Sequence, residues 1–161
     1  MSNMVLNPGD RFPSLTVTPP DAPALELPGA LAGGYGVVLL YRGGWCPYCA
    51  AQLRAFQRAA DRLAASEIAV VALSVDDEAA TRATIEKHGL TFPVGFGADA
   101  DAIAAATGAF VNDDPRYLQS TGFVLGPDGS VIVSVYSSGA IGRLVPEDVL
   151  GLVTYLGTRA A

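Results

Sequence analysis

Cysteine and histidine are scarce in this sequence. Its 161 residues include two cysteines and one histidine, whereas a closed zinc site needs about four ligands. The sequence therefore gives no support for a metal site, and no segment of it indicates a prosthetic group. We expect the protein to work without a cofactor.

Basic residues and long apolar runs are also in short supply. Ten basic residues stand against sixteen acidic ones, for a net charge of −6. An acidic chain repels phosphate, so nucleic acid is not an expected partner. No apolar stretch reaches the roughly 18 residues of a membrane-spanning helix, and the first residues lack the basic and apolar segments of a secretory signal. We therefore expect a soluble cytoplasmic protein that has no membrane partner.

The chain has the length of one domain and the composition of a globular protein. Half of its residues are hydrophobic, and a chain of this size buries a core without disulfide staples. The first 35 residues are rich in proline and glycine and contain two β-like segments, Leu15–Val17 and Leu25–Leu27. We predict a single domain over residues 1–161, in which residues 1–35 form an N-terminal extension with a short hairpin.

Apolar strands and amphipathic helices alternate along the rest of the chain. The predicted elements are a strand at 37–41, a helix at 47–65, a strand at 68–75, a helix ending at 88, an extended segment at 92–94, an alanine-rich helix at 99–107, a polar loop at 110–119, a hairpin at 122–136 and a helix from 146. This order predicts an α/β fold in which helices cover both faces of a central sheet.

The two cysteines lie three residues apart in the run Trp45-Cys46-Pro47-Tyr48-Cys49, between a predicted strand and a predicted helix. Pro47 suits the first turn of a helix, so Cys46 precedes the helix and Cys49 lies one turn inside it. Free N–H groups and the helix dipole stabilise a thiolate there and lower the cysteine pKa below about 8.5. We predict a redox-active dithiol. A purely structural disulfide is disfavoured, because closing so short a loop adds little stability. Two inert buried thiols remain as the alternative.

The dithiol run resembles the active site of the thioredoxin superfamily. The chain as a whole resembles the peroxiredoxin-like proteins of the alkyl hydroperoxide reductase and thiol-specific antioxidant group. The further segments that carry the resemblance are Pro8-Gly9-Asp10-Arg11-Phe12-Pro13, the strand at 37–41, Ser74-Val75-Asp76, Phe92-Pro93-Val94 and the segment 122–129.

The resemblance implies a thioredoxin-like (peroxiredoxin-like) fold with a central mixed sheet and an N-terminal β extension. It also implies an antioxidant enzyme that reduces hydroperoxides and is recycled by a thiol reductant such as a thioredoxin or glutathione system. Members of that group commonly dimerise, so a homodimer is compatible with it.

The chain departs from the motif of that group, which reads Pro, three residues, Thr, two residues, Cys. Aligned on the end of the preceding strand, the motif's cysteine falls on Cys49, its threonine on Cys46 and its proline on Arg42. The group also carries an arginine at the position of Ser120. A cation at Arg42 would favour a thiolate, and a solvated loop charge is the alternative. Trp45 would shield the sulfurs or present a docking surface, with ordinary core packing as its alternative.

Residues from the end of the chain are expected to approach the dithiol. In a thioredoxin fold the start of the first late strand and the end of the second lie at the active-site edge, which brings Ser120, Thr121 and residues 137–139 towards the sulfurs. Arg143 follows and is a candidate replacement for the missing arginine, and Arg116 on the polar loop is a second candidate. Plain turn chemistry and surface charge are the alternatives for these residues.

Three functions remain open on the sequence. In the first, a peroxidase, either Cys46 or Cys49 attacks a hydroperoxide and the other cysteine condenses with the sulfenate. In the second, a disulfide oxidoreductase, Cys46 attacks a protein or small disulfide. The tetrad Cys46-Pro47-Tyr48-Cys49 is also similar to that of glutaredoxins, although their cis-proline is lacking here. The third is a non-catalytic binding module. We place the peroxidase first.

Overall fold

The computed structural model describes the backbone of residues 4–160 and the side chains of residues 4–157. Strands and helices alternate as the sequence predicts. In chain order the elements are β1 Leu15–Val17, β2 Leu25–Leu27, a 3-10 turn Gly29–Leu31, β3 Tyr35–Leu40, α1 Pro47–Arg58, α2 Ala60–Ala65, β4 Ile68–Leu73, α3 Glu78–His88, β5 Val94–Gly95, α4 Ala100–Thr107, β6 Val111–Asn112, β7 Tyr117–Leu118, β8 Thr121–Leu125, β9 Val131–Tyr136 and α5 Pro146–Ala160.

The central sheet has five strands in the order β5-β4-β3-β8-β9. The first three run parallel, and β8 and β9 continue the sheet in antiparallel register, with Val38 beside both Val71 and Phe123. Val37 to Leu40 are fully buried, because helices or the hairpin cover both faces of a central strand. The mixed sheet confirms the predicted fold class.

Different elements cover the two faces of the sheet. Helices α1, α2 and α5 pack on one face, where Phe56 and Val153 belong to the same cluster as Val37 and Leu39. Helix α4 and the β1–β2 hairpin cover the other face, where the cluster contains Ile103. The hairpin has the predicted bounds of 15–17 and 25–27, so the N-terminal extension contributes to the core.

The predicted helix at 47–65 is divided. Ala59 has φ −90° and ψ 5°, outside the helical region, and separates α1 from α2. Neither proline nor glycine marks the break, and apolar residues keep helical spacing across it, so the pattern predicted one helix. The predicted polar loop at 110–119 also differs, because Asn112 and Tyr117 pair in a short antiparallel ladder between β6 and β7.

The helix ends follow the local sequence. The side chains of Asp77 and Asp99 accept hydrogen bonds from backbone N–H groups and cap α3 and α4, and Gly89 ends α3. The sequence leaves the cap of α3 open between Asp76 and Asp77 and the cap of α4 open between Asp99 and Asp101, and the structure selects Asp77 and Asp99. Within residues 4–160 no helix is both long enough and apolar enough to cross a membrane.

Several chain segments meet at one edge of the sheet. Leu40, at the end of β3, pairs with Thr121 at the start of β8, and Thr121 pairs with Tyr136 at the end of β9. Leu73, at the end of β4, lies on the other side of Leu40. The segments that leave these positions, at 41–46, 74–77, 119–120 and 137–145, therefore share this edge, and the cysteines lie here.

Candidate active site

The two cysteines occupy the start of α1. Cys46 is the N-cap residue, and its sulfur accepts a hydrogen bond from the N–H of Cys49 at 3.3 Å. Pro47 follows at the first helical position, where its lack of an N–H costs nothing. Both thiols are free and buried, with 1% of Cys46 and 0% of Cys49 exposed. The dithiol thus lies where the helix end stabilises negative charge.

A tight turn delivers Cys46 from β3 to α1. A Cβ atom on Gly43 would lie 2.2 Å from Nε1 of Trp45, and one on Gly44 would lie 2.5 Å from Oγ1 of Thr84. Both positions therefore require glycine. The N–H of Gly44 donates to a carboxylate oxygen of Asp76 at 2.8 Å, which ties the turn to the end of the neighbouring strand β4.

Arg42 contacts both sulfurs. Its backbone N–H donates to Sγ of Cys49 at 3.3 Å, and its Nη1 donates to Sγ of Cys46 at 3.6 Å. Its Nη2 donates to the Tyr117 hydroxyl at 2.9 Å. The guanidinium also lies over the rings of Trp45 and Tyr117, 5.0 and 5.2 Å from their centroids. Two aromatic rings and a hydroxyl thus hold this cation beside the dithiol.

Arg143 brings a second cation to the same sulfur. Its Nη2 donates to Sγ of Cys46 at 3.6 Å and to the carbonyl of Ala140 at 3.0 Å. Its Nη1 donates to the Ser120 hydroxyl at 2.6 Å and to Oε1 of Gln52 at 3.5 Å. The predicted replacement cation therefore does lie at the dithiol, and it is bonded to the residue at the position of the missing arginine.

These contacts shift the pKa values of the two thiols in opposite directions. Burial raises the pKa of Cys46, but hydrogen bonds from the thiol and the N–H of Cys49, then the bond from Arg42 and the charge of Arg143, outweigh it and lower that pKa overall. Burial, and the hydrogen bond that its thiol gives to Cys46, raise the pKa of Cys49 to about 11. Of the two thiols, Cys46 is therefore the one that ionises more readily.

The other predicted site residues make no side-chain hydrogen bond to either sulfur among the described contacts. Trp45 and Tyr48 flank the cysteines but are more than half exposed, so Trp45 forms a surface beside the dithiol, with its ring edge on Tyr117. The Thr121 hydroxyl donates to the carbonyl of Gln119 at 3.1 Å. Arg116 pairs with two surface acids, Asp101 and Asp113. Arg116 is therefore not a replacement cation.

Two residues of the site were missed by the sequence analysis. As a polar residue of an amphipathic helix, Gln52 is expected on the solvent side, but it is only 7% exposed and faces Arg143. Its position three residues after Cys49 was a usable signal, because residues three apart share a helix face. Tyr117 had no such signal, since it lies in the predicted loop and reaches Arg42 only through the tertiary fold.

Comparison with known proteins points to one family. The sequence profile of the AhpC/TSA family matches residues 8–134. A peroxiredoxin from Methanothermobacter thermautotrophicus is 28% identical over 145 residues, which cover 86% of this chain and 68% of that protein. The fold is similar to peroxidoxin BcpB from Mycobacterium tuberculosis, with a TM-score of 0.80, 18% identity and coverage of 94% and 98% of the two chains. It is also similar to peroxiredoxin 6 of Arenicola marina, with a TM-score of 0.79, 19% identity and coverage of 96% and 75%. Since the family profile spans most of the sequence, this chain belongs to the AhpC/TSA family.

Proposed function

We propose that this protein is a thiol-dependent peroxidase that reduces hydroperoxides through a dithiol–disulfide cycle of Cys46 and Cys49. The observation that carries the proposal is the Cys46 sulfur, which lies at a helix N-terminus between two guanidinium groups, each 3.6 Å away. A thiolate is the form of cysteine that attacks peroxides. Membership of the AhpC/TSA family supports the same chemistry.

In the first step the Cys46 thiolate attacks the terminal oxygen of the hydroperoxide. The O–O bond breaks, the alkoxide takes up a proton and leaves as an alcohol, and Cys46 becomes a sulfenic acid, two electrons more oxidised. Negative charge moves from sulfur to oxygen, and Arg42 and Arg143 stabilise that charge. The Nε atoms of these two arginines are buried and have no acceptor within the described part of the chain, so each guanidinium keeps a donor that does not serve the scaffold.

In the second step Cys49 attacks the oxidised sulfur of Cys46. A disulfide forms, the S–O bond breaks, and the hydroxide takes up the Cys49 proton and leaves as water. The N–H of Arg42, bonded to the Cys49 sulfur, favours loss of that proton. Two external thiol groups, from a thioredoxin-class dithiol or from two glutathione molecules, then return two electrons by thiol–disulfide exchange and leave as their own disulfide. We place this cycle in the cytoplasm, where thiol pools are kept reduced.

The assignment of Cys46 as the attacking residue differs from the family alignment, which puts the family's cysteine on Cys49. The lowered pKa of Cys46 and the raised pKa of Cys49 support it. Membership of the AhpC/TSA family favours a hydroperoxide over a disulfide as the oxidant. The disulfide oxidoreductase is thereby disfavoured, and a pure binding module has no use for an ionised thiol.

The proposal is tested by mixing reduced protein with hydrogen peroxide or an organic hydroperoxide and following the loss of free thiols. We expect a rate far above that of glutathione at the same pH, with one hydroperoxide consumed per disulfide formed. A rate no faster than that of glutathione would overturn the peroxidase. Insulin reduction with a thiol donor is the parallel assay, and efficient turnover there would support the disulfide oxidoreductase instead.

A further inference from the structure

The Arg143 guanidinium reaches the dithiol from residues 137–145, a segment without helix or strand that we call the Arg143 loop. Gly142 in this loop has a φ of +87°, a left-handed conformation that favours glycine. A long side chain on such a segment has many rotamers. At 3.6 Å from the Cys46 sulfur, the guanidinium has one hydrogen-bond acceptor inside the loop, the carbonyl of Ala140, and its other supports come from outside the loop.

Ser120 supplies one support from the sheet. It directly precedes β8 and is only 2% exposed. Its hydroxyl accepts the 2.6 Å hydrogen bond from Nη1 of Arg143. Its carbonyl accepts a hydrogen bond from the N–H of Ser137 at 3.0 Å. One residue at the edge of the sheet thus holds both the first residue of the Arg143 loop and the guanidinium.

Gln52 supplies the other support from α1. Its Nε2 donates to the carbonyl of Leu144 at 2.9 Å, and its Oε1 accepts from Nη1 of Arg143 at 3.5 Å. The Gln52 side chain therefore hydrogen-bonds both to the loop backbone next to Arg143 and to the Arg143 guanidinium. Because Cys46 and Cys49 begin the same helix, Gln52 ties the position of the cation to that of the sulfur.

We propose that Ser120 and Gln52 form a clamp, and that these positioning residues act on the Cys46 thiolate only by fixing the Arg143 guanidinium against it. Both side chains are neutral, and neither hydrogen-bonds to a cysteine sulfur among the bonds of residues 4–157. Their influence on the sulfur therefore passes through Arg143. The catalytic consequence of the clamp rests on the proposed peroxidase function, but the clamp itself is testable without any peroxide.

The first test is the pH profile of Cys46 alkylation by iodoacetamide in the intact protein, with the modified residue identified by mass spectrometry. We expect Ser120→Ala to move the titration midpoint upwards and to reduce the thiolate fraction below the midpoint about fivefold, as for the loss of one hydrogen bond to a charged group. Ser120→Thr keeps the hydroxyl and should restore the midpoint. Ser134→Ala, which removes a hydroxyl bonded to Leu6, is the matched control and should shift nothing. An unshifted midpoint in Ser120→Ala would overturn the clamp.

The second test is a double-mutant cycle with Arg143→Ala. If Ser120 acts through Arg143, adding Ser120→Ala to Arg143→Ala produces no further shift of the Cys46 midpoint. A full additional shift in the double variant would show that Ser120 acts on the sulfur by another route, and it would overturn the proposal.

The third test concerns the other half of the clamp and does not depend on the folding of the Ser120 variants. Gln52→Met keeps the length of the side chain and removes its hydrogen bonds. Its matched control is Gln57→Met. Gln57 lies further along α1 and makes an equivalent pair of hydrogen bonds with Thr91, which follows α3. We expect only Gln52→Met to raise the Cys46 midpoint. Equal shifts in the two variants would mean general loosening of the helix and would contradict the clamp.

Failure of the clamp and failure of the peroxidase give different results. If the wild-type protein reduces no peroxide while the variants shift the Cys46 midpoint as expected, the proposed function fails and the clamp stands. If the wild-type protein is an efficient peroxidase and neither Ser120→Ala nor Gln52→Met moves the midpoint, the clamp fails and the function stands.

Discussion

The two cations at the Cys46 sulfur reach it from very different regions of the chain. Arg42 lies four residues before Cys46, on the turn between β3 and α1, whereas Arg143 lies 97 residues after it, on the loop that precedes α5. Both guanidiniums donate to the sulfur at the same distance of 3.6 Å. Equal geometry at the reacting atom is thus obtained from a local and a distant source.

The supports of the two cations differ accordingly. Arg42 follows a fully buried strand and stacks against the rings of Trp45 and Tyr117. Arg143 has no aromatic support among the described contacts and is held by the hydroxyl of Ser120 and the amide of Gln52. A cation next to its target in sequence is positioned by the turn that carries it, whereas a distant cation requires polar partners from other elements.

Removing the sulfur on which both cations act should have the largest effect on peroxide reduction. Cys46→Ser should lose peroxide reduction down to background, because a hydroxyl is a far weaker nucleophile than a thiolate. Cys49→Ser should still consume one equivalent of hydroperoxide and stop at the sulfenic acid, since no resolving thiol is left. Trapping the sulfenic acid with dimedone and mass spectrometry checks both results. A trapped sulfenic acid on Cys49 would reverse the assignment.

Removing each cation in turn asks whether the local and the distant arginine contribute equally. Arg42→Ala and Arg143→Ala should each raise the Cys46 pKa and reduce the thiolate fraction below that pKa about tenfold, and the double variant should reduce it about a hundredfold if the two act independently. Stopped-flow rates of peroxide reduction at neutral pH measure this. Arg62→Ala removes only an exposed ion pair with Glu147 and serves as the control without an expected effect. A normal rate in Arg143→Ala would show that the distant cation is dispensable.

The pH dependence of stability distinguishes the two thiols, because their pKa values shift in opposite directions. The raised pKa of Cys49 gives stability that is fully present below the unfolded value of about 8.5 and is lost as pH rises to about 11. The lowered pKa of Cys46 has the opposite sign, so its stabilisation is present above the unfolded value and is lost as pH falls through the folded value. The free energy of unfolding of the reduced protein, measured with urea, should therefore fall by about 3 kcal/mol relative to that of the disulfide form across the alkaline window. A constant difference would contradict the Cys49 assignment.

The smallest expected effect concerns the support of Arg42. Tyr117→Phe removes the hydroxyl that accepts from Arg42 at 2.9 Å and keeps the ring under the guanidinium. We expect about a threefold loss of Cys46 thiolate at neutral pH, less than for either arginine, because the aromatic ring at position 117 and the Trp45 ring still hold the guanidinium after this hydrogen bond is lost. Iodoacetamide alkylation measures it, and Tyr35→Phe at the opposite end of β3 is the matched control. A loss as large as that of Arg42→Ala would mean that the hydroxyl alone positions the cation.

The sequence by itself determined what depends on neighbouring residues. Apolar runs specified the strands, and the aspartate pairs 76/77 and 99/101 indicated helix starts to within two residues, because capping is an interaction across three residues. The order of strand, glycine turn, cysteine and Pro47 placed the dithiol at a helix N-terminus. The spacing of the cysteines therefore predicted a redox-active dithiol, and the alternation of strands and helices predicted the fold class.

The tertiary structure alone decided how that dithiol is tuned. Gln52 lies on α1, Tyr117 and Ser120 lie just before β8, and Arg143 lies on the loop before α5. The resemblance brought Ser120 and Arg143 towards the dithiol, but no local pattern showed which groups they contact. The easier ionisation of Cys46 also required the fold, because both cysteines share the helix end and differ in burial, in hydrogen-bond direction and in their contacts with Arg42 and Arg143. Local sequence encodes where a sulfur sits on a helix, whereas its pKa is the sum of charges and donors that folding brings from the whole chain.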